Sequence, residues 1–265
     1  MSMMIFKPSI RLLKNCSKLV FIIFFASNTC TAEILTEQEI GREVIALYLD
    51  ATPLIDDNET LEYVNTLGNY ISNFISKKKP KRNWTFGVID TASINAFAAP
   101  GGYVLITKGL LDLIETEDQL AFVLAHEISH IVEEHHLTVI RKQSKMLALI
   151  SKMQNNVSDE NKMFTEVSGV YRDFASKGLD KRAEYEADFD GTILAARAGF
   201  NAYAGHELLF ILSDFYASGN QAELFFKTHP NPLSRIDELV GQITEELDHF
   251  AINSSPSSAF ERLKR

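Results

Sequence analysis

Along most of the chain apolar residues recur every three or four positions; in one short stretch they recur every second. Ile40, Val44 and Leu47 mark a first helix over 36–50, and Thr36 followed by Glu39 is a capping box at its start. Leu61, Val64, Leu67, Ile71 and Phe74 line one side of a second helix over 59–76. The period then shortens. Residues 84–89, 93–98 and 103–107 read as strands, with Ala99-Pro100-Gly101-Gly102 as a tight turn between the last two. From Leu110 the helical period returns. Thr116 and Gln119 form a second capping box, and further helices are expected over 137–154, 163–176, 181–198, 206–217 and 232–247, with Gly199 placed to stop the one before it. A polar loop is expected at 155–161. The predicted fold class is α+β, mainly helical, with a small and mostly antiparallel sheet. One domain over 33–252 accounts for these elements, and the Ser-rich tail 253–265 is expected to be loose.

The first 32 residues have another character. Lys7, Arg11, Lys14 and Lys18 carry all the charge before Glu33, an apolar run follows from Leu19 to Ala26, and small or polar residues end at Ala32. Basic, then apolar, then small is the order of a cleavable secretory signal peptide, with Cys30 and Ala32 at the −3 and −1 positions. The run is shorter than the about 20 residues that span a bilayer. Retention as a signal anchor, or a lipid anchor at Cys30, is the weaker reading, since Ser27-Asn28-Thr29 is a poor lipidation context. Both cysteines, Cys16 and Cys30, lie in this leader. The mature protein would then carry no thiol nucleophile, no cysteine metal site and no disulfide. The whole chain has 26 basic and 35 acidic residues, net −9; without the four leader bases the net charge is −13. Such a body is a poor partner for nucleic acid. Its one basic cluster, Lys77, Lys78, Lys79, Lys81 and Arg82 around Pro80, reads as a solvated loop.

Chemistry concentrates at His126-Glu127-Ile128-Ser129-His130. Residues four apart share a helix face, so two imidazoles can converge on one cation, zinc by ligand type. Glu127 then projects beside the metal, where its carboxylate can serve as the base that activates zinc-bound water. Phe122, Val123, Leu124, Ala125, Ile128, Ile131 and Val132 make this a helix buried on most sides, in which polar groups need partners. His136 stands ten residues after His126, but Glu133 occupies the place where a helix-breaking Gly would be needed. On an unbroken helix, at about 1.5 Å per residue, His136 lies about 9 Å beyond His130 and cannot reach. His135 and His136 are therefore read as helix-end residues. A third ligand can come from Glu184-Tyr185-Glu186-Ala187-Asp188, where Glu184 and Asp188 share a face and Glu186 points away. These acids read equally as solvent-facing residues of an acidic protein or as a ligand, Glu184, with Asp188 as hydrogen-bond partner of a ligating histidine. Asn95, Ala96, Phe97 and Ala98 are expected on an exposed strand beside the metal, to which a substrate backbone can add. His206 and His249 have no motif around them and read as surface or helix residues.

HEISH, EYEAD, NAFAAPGGYVLITKGLL and THPNPLSR occur here in one order. In this the sequence resembles the HtpX-like zinc endopeptidases, peptidase family forty-eight, over roughly residues 35–247. It looks most like the secreted bacterial branch that acts in periplasmic protein quality control. The resemblance implies a gluzincin-type domain with one zinc per chain and Glu184 as the third ligand beside His126 and His130. It implies hydrolysis of unfolded or misassembled periplasmic and outer-membrane proteins, and association with membrane-protein assembly machinery. It also places the loop of His229 over the cleft, where His229 either donates to a developing oxyanion or ligates zinc in a closed resting state. Arg235 is expected to pair with local acids. The competing reading is a non-catalytic chaperone or scaffold, a zincin fold whose cleft is plugged by the stretch 137–178.

Overall fold

A computed structural model describes residues 36–153, 178–218, 229, 231–242, 247 and 256–264. The first 35 residues, His249, the stretch 155–161 expected as a loop and the stretch 163–176 expected as a helix lie outside the described residues.

Helix α1 (Glu37–Ala51) opens on the expected capping box, with the Thr36 hydroxyl accepting from Glu39 N–H and the Glu39 carboxylate accepting from Thr36 N–H. Asp57 caps α2 (Asn58–Ser72) by accepting from Glu59 and Thr60 N–H. Strands β1 (Thr85–Ile89), β2 (Ala96–Ala99) and β3 (Tyr103–Thr107) form one sheet in the order β1-β3-β2. The sheet is mixed rather than mostly antiparallel. β2 and β3 are a hairpin with Ala96 opposite Ile106, whereas β1 runs parallel to β3 with Thr85 opposite Tyr103. Gly101 and Gly102, at φ 86° and 96°, make the hairpin turn in a region that residues with a Cβ avoid. Helix α3 (Lys108–Leu113) follows directly.

The metal-motif helix α4 (Glu117–Val132) runs through the middle of the molecule, and every residue from Asp118 to Ile131 is buried. Only half of its expected capping box forms. Thr116 accepts from Gln119 N–H, but the Gln119 side chain turns to Glu115 N–H instead. Helices α2, α6 (Lys181–Arg197) and α7 (Ala204–Ser218) and strand β2 pack around α4. Gly191 sets the closest approach. A Cβ there would lie 2.9 Å from His126 Cα and N, so only glycine lets α6 press its backbone against the metal-motif turn. Gly199, at φ 95°, ends α6 as expected.

α4 does not continue through Glu133. Its last residue is Val132, Glu134 adopts φ 56°, and a new helix α5 (His135–Met153) starts at the next residue. This left-handed residue lacks glycine's freedom, at a cost of about 1–2 kcal/mol. Ion pairs hold it: Glu133 with Lys79 at 2.7 Å, and Glu134 with Arg141 at 3.1 Å and Arg82 at 3.7 Å. The basic loop is accordingly not simply solvated. The Arg82 side chain is 3% exposed and also pairs with Glu37 at 3.0 Å.

Helix α8 (Pro232–Gln242) packs on α6 and α7. The expected loose tail contains a short helix, α9 (Ser258–Leu263), capped by Ser257. Phe260 enters the core beside Tyr63, and Ser257 donates from both N–H and hydroxyl to Glu117 at 2.7 Å. Among the described residues no helix is long and apolar enough to cross a membrane.

Candidate metal centre

One turn of α4 aims His126 and His130 at the same point, their Nε2 atoms 3.0 Å apart. Glu184, from the first turn of α6, comes within 3.7 Å of His126 Nε2 and 3.4 Å of His130 Nε2. His229 Nε2 lies 3.8 Å from the Glu184 carboxylate. One ligand atom from each of these four residues falls within 4.8 Å of the others, and all four residues are buried. A tetrahedral zinc with bonds of about 2.0–2.1 Å has ligand atoms about 3.3 Å apart, close to the separations among His126, His130 and Glu184.

The electrostatics also favour a cation. Burial holds His126 below the ordinary imidazole range, and burial together with neighbouring histidines pushes His130 further down, so both present lone pairs. Burial raises the Glu184 carboxyl well above its usual range, and its Oε2 has no hydrogen-bond partner among the described residues. A divalent ion supplies what this buried oxygen lacks. The donor set therefore fits a divalent cation that His126, His130 and Glu184 could hold, with His229 within reach.

Asp188 lies one turn after Glu184. Its Oδ1 is 3.0 Å from His126 Nδ1, the nitrogen that faces away from the convergence point. Arg235 on α8 clamps this carboxylate from behind, Nε donating to Oδ2 at 2.8 Å and Nη2 to Oδ1 at 2.5 Å. Burial alone would push the Asp188 carboxyl up; the guanidinium and the His126 contact overcome it and hold the group well below the carboxylate range. Arg235 thus pairs with an acid 47 residues distant in sequence rather than with local ones. That role was invisible in the chain, although THPNPLSR marked the segment.

Glu127 is buried beside the ligands and faces an apolar cleft whose lining includes Phe122, Leu208, Leu212, His229 and Ala96. Burial raises its carboxyl to about 8, Arg235 pulling the other way. Of the expected substrate strand, Ala96, Phe97 and Ala98 lie on β2 at the sheet edge; Asn95 precedes it. The strand is less exposed than expected. Asn95, Ala96 and Ala98 are buried, and Phe97 stacks on Tyr48 with ring centroids 4.0 Å apart. Asn95 is pinned by Thr107, whose hydroxyl accepts from its N–H and donates to its carbonyl, both at 2.9 Å.

The bend at Glu134 overturns the expected positions of two histidines. His135 and His136 begin α5 instead of ending α4, and the His136 ring centroid is 5.3 Å from that of His130. His136 is nevertheless not one of the four converging residues. His135 places Nδ1 3.0 Å from His130 Nδ1. The acid pair Glu133-Glu134 was the available signal, because acids are favoured at a helix N-terminus and so mark the start of a new helix at His135. His206 is buried in α7, not at the surface, and neither ring nitrogen has a hydrogen-bond partner among the described residues.

The model of Peptidase family M48 matches residues 60–243. The chain is 29% identical over 211 residues to a putative beta-barrel assembly-enhancing protease of Vibrio cholerae, covering 76% of this chain and 43% of that protein. It is 28% identical over 233 residues to the beta-barrel assembly-enhancing protease of Yersinia pestis, covering 84% of this chain and 47% of the relative. It is 30% identical over 158 residues to the mitochondrial metalloendopeptidase OMA1 of Schizosaccharomyces pombe, covering 59% and 45%. The chain thus spans about half the length of the curated relatives it matches.

Proposed function

Given that the chain belongs to Peptidase family M48, we propose that it is a zinc-dependent endopeptidase that holds its metal through His126, His130 and Glu184. The observation that carries the reading is the buried convergence of these ligand atoms, together with His229, within 4.8 Å, next to a buried carboxylate at Glu127. Zinc held by these residues would lower the pKa of a water molecule and polarise the carbonyl under attack. Glu127 takes the proton and returns it to the leaving amine; a carboxyl raised to about 8 without the ion is already biased toward holding a proton. Asp188, clamped by Arg235, fixes the tautomer and orientation of His126. His229, 3.8 Å from Glu184, would either hold the ion as a fourth ligand in a closed resting state or donate to the developing oxyanion. A substrate backbone lies along Asn95, Ala96, Phe97 and Ala98, with Phe97 and Tyr48 yielding to admit it.

The substrates are unfolded or misassembled proteins of the periplasm and outer membrane, reached after removal of the leader at Ala32. The names of the bacterial relatives, which enhance β-barrel assembly, support this class and support association with the assembly machinery.

Glu127→Gln is the direct test. The variant is expected to bind one zinc per chain and to lose casein cleavage by about 10²–10⁴-fold, the usual contribution of a positioned base. Cleavage at the wild-type rate by the zinc-loaded variant would remove Glu127 from the mechanism.

A further inference from the structure

His130 Nε2 faces His126 and Glu184, so its lone pair points at the convergence centre and the ring hydrogen belongs on Nδ1. That Nδ1 is 3.0 Å from His135 Nδ1, a separation at which one nitrogen must donate and the other accept. With His130 donating, His135 Nδ1 accepts and its hydrogen sits on Nε2, which faces the Glu186 carboxylate at 3.6 Å, an electrostatic contact longer than a hydrogen bond. The three groups form one directed chain: His130, then His135, then Glu186.

The arrangement depends on the bend. Had α4 continued, His135 would sit on a different face from His130, five positions on. Glu134 at φ 56° turns the chain back, and the turn is braced through Lys79, Arg82 and Arg141. A strained residue held by ion pairs, delivering a ring nitrogen to a metal-binding histidine, reads as a device with a purpose.

We propose that His135 is a positioning residue for the metal: it accepts the His130 Nδ1 hydrogen, fixes that ring in the metal-binding tautomer, and is itself oriented by Glu186. This rests on the zinc site proposed above. Outer partners of this kind are worth about 10–100-fold in metal affinity.

The test measures zinc affinity by chelator competition for the purified full-length protein, His135→Phe and His135→Asn. Phenylalanine keeps the ring volume without its nitrogens, whereas asparagine offers an amide oxygen where Nδ1 was. The expected result is a loss of about 10–100-fold for phenylalanine, recovered in large part by asparagine, with unchanged melting of the metal-free proteins. The visible bands of cobalt-loaded protein should shift in the first variant and return in the second. Nitrogen-15 shifts of the zinc-loaded wild type read the tautomers without any substitution: His130 protonated at Nδ1, His135 protonated at Nε2. The opposite tautomers overturn the inference. So does wild-type affinity in His135→Phe, or equal weakness of both variants, which marks packing alone. Wild-type protein that binds neither zinc nor cobalt overturns the metal site itself, a result distinct from either of these.

Discussion

His126 and His130 are one turn apart on one helix and point at the same place, yet their outer nitrogens meet opposite environments. Behind His126 stands a permanent ion pair, Asp188 with Arg235, both side chains almost fully buried. Behind His130 stands a second imidazole, and behind that a glutamate, Glu186, that is 48% exposed. The first arrangement is part of the core: it ties α4, α6 and α8 together, and its charges cannot separate without a large penalty. The second sits at the rim, on a bend held by surface-reaching ion pairs. Orientation of a ligand can be supplied by core electrostatics or by local chain geometry, and the proposed zinc site would use one for each histidine.

The largest effect should come from breaking the buried side. Asp188→Asn leaves the Arg235 guanidinium without its counter-charge and is expected to cost on the order of 3–5 kcal/mol in chemical denaturation of the metal-free protein. Adding Arg235→Met should restore most of that stability while zinc affinity stays low, because His126 has still lost its partner. A single variant as stable as wild type would mean the pair is not a core element. By contrast, His135→Phe should reduce affinity and leave metal-free stability alone.

A middle-sized effect is in the pH dependence. Burial raises Glu127 from 4.5 to about 8. The folded, metal-free protein therefore holds a proton that the unfolded chain releases above pH 4.5. Stability from this source is complete below about pH 4.5 and is lost as pH rises through about 8. Asp188 works in the opposite sense: its depressed carboxyl contributes above 3.8 and fails only on acidification. The buried histidines His126, His130, His135 and His136, all held below 6.5, act against this at lower pH. Melting temperatures of metal-free protein should therefore fall between about pH 7 and 8, and Glu127→Gln should flatten that slope while His135→Phe does not. An unchanged slope in Glu127→Gln would assign the titration elsewhere. The smallest effect belongs to the outermost member of the rim chain. Glu186→Gln should weaken zinc by no more than about fivefold, since a half-exposed charge contact contributes at most about 1 kcal/mol. A tenfold loss in the same chelator competition would move Glu186 into the core of the device.

Much of this was legible in the chain because it is local. Helix starts at Thr36 and Thr116, the hairpin glycines, the stop at Gly199 and the i, i+4 spacing of His126 with His130 and of Glu184 with Asp188 depend on residues within a few positions of each other. The same logic misjudged what depends on distant partners. The parallel pairing of β1 with β3, the docking of Phe260 from the supposed tail, the burial of Arg82 and the reach of Arg235 to Asp188 each join segments far apart in sequence.

Sequence by itself established which residues share a face, His126 with His130 and Glu184 with Asp188, because helical period sets that; whether Glu184 is a ligand it left open, and only the family resemblance chose. Tertiary structure alone decided that Arg235 backs Asp188 and that His135 meets His130. Glu134 takes a left-handed conformation that its own propensity disfavours, with Arg82 from a distant segment and Arg141 of α5 paired to its carboxylate there. A period can be read along a chain; an ion pair that offsets local strain exists only after the chain has folded.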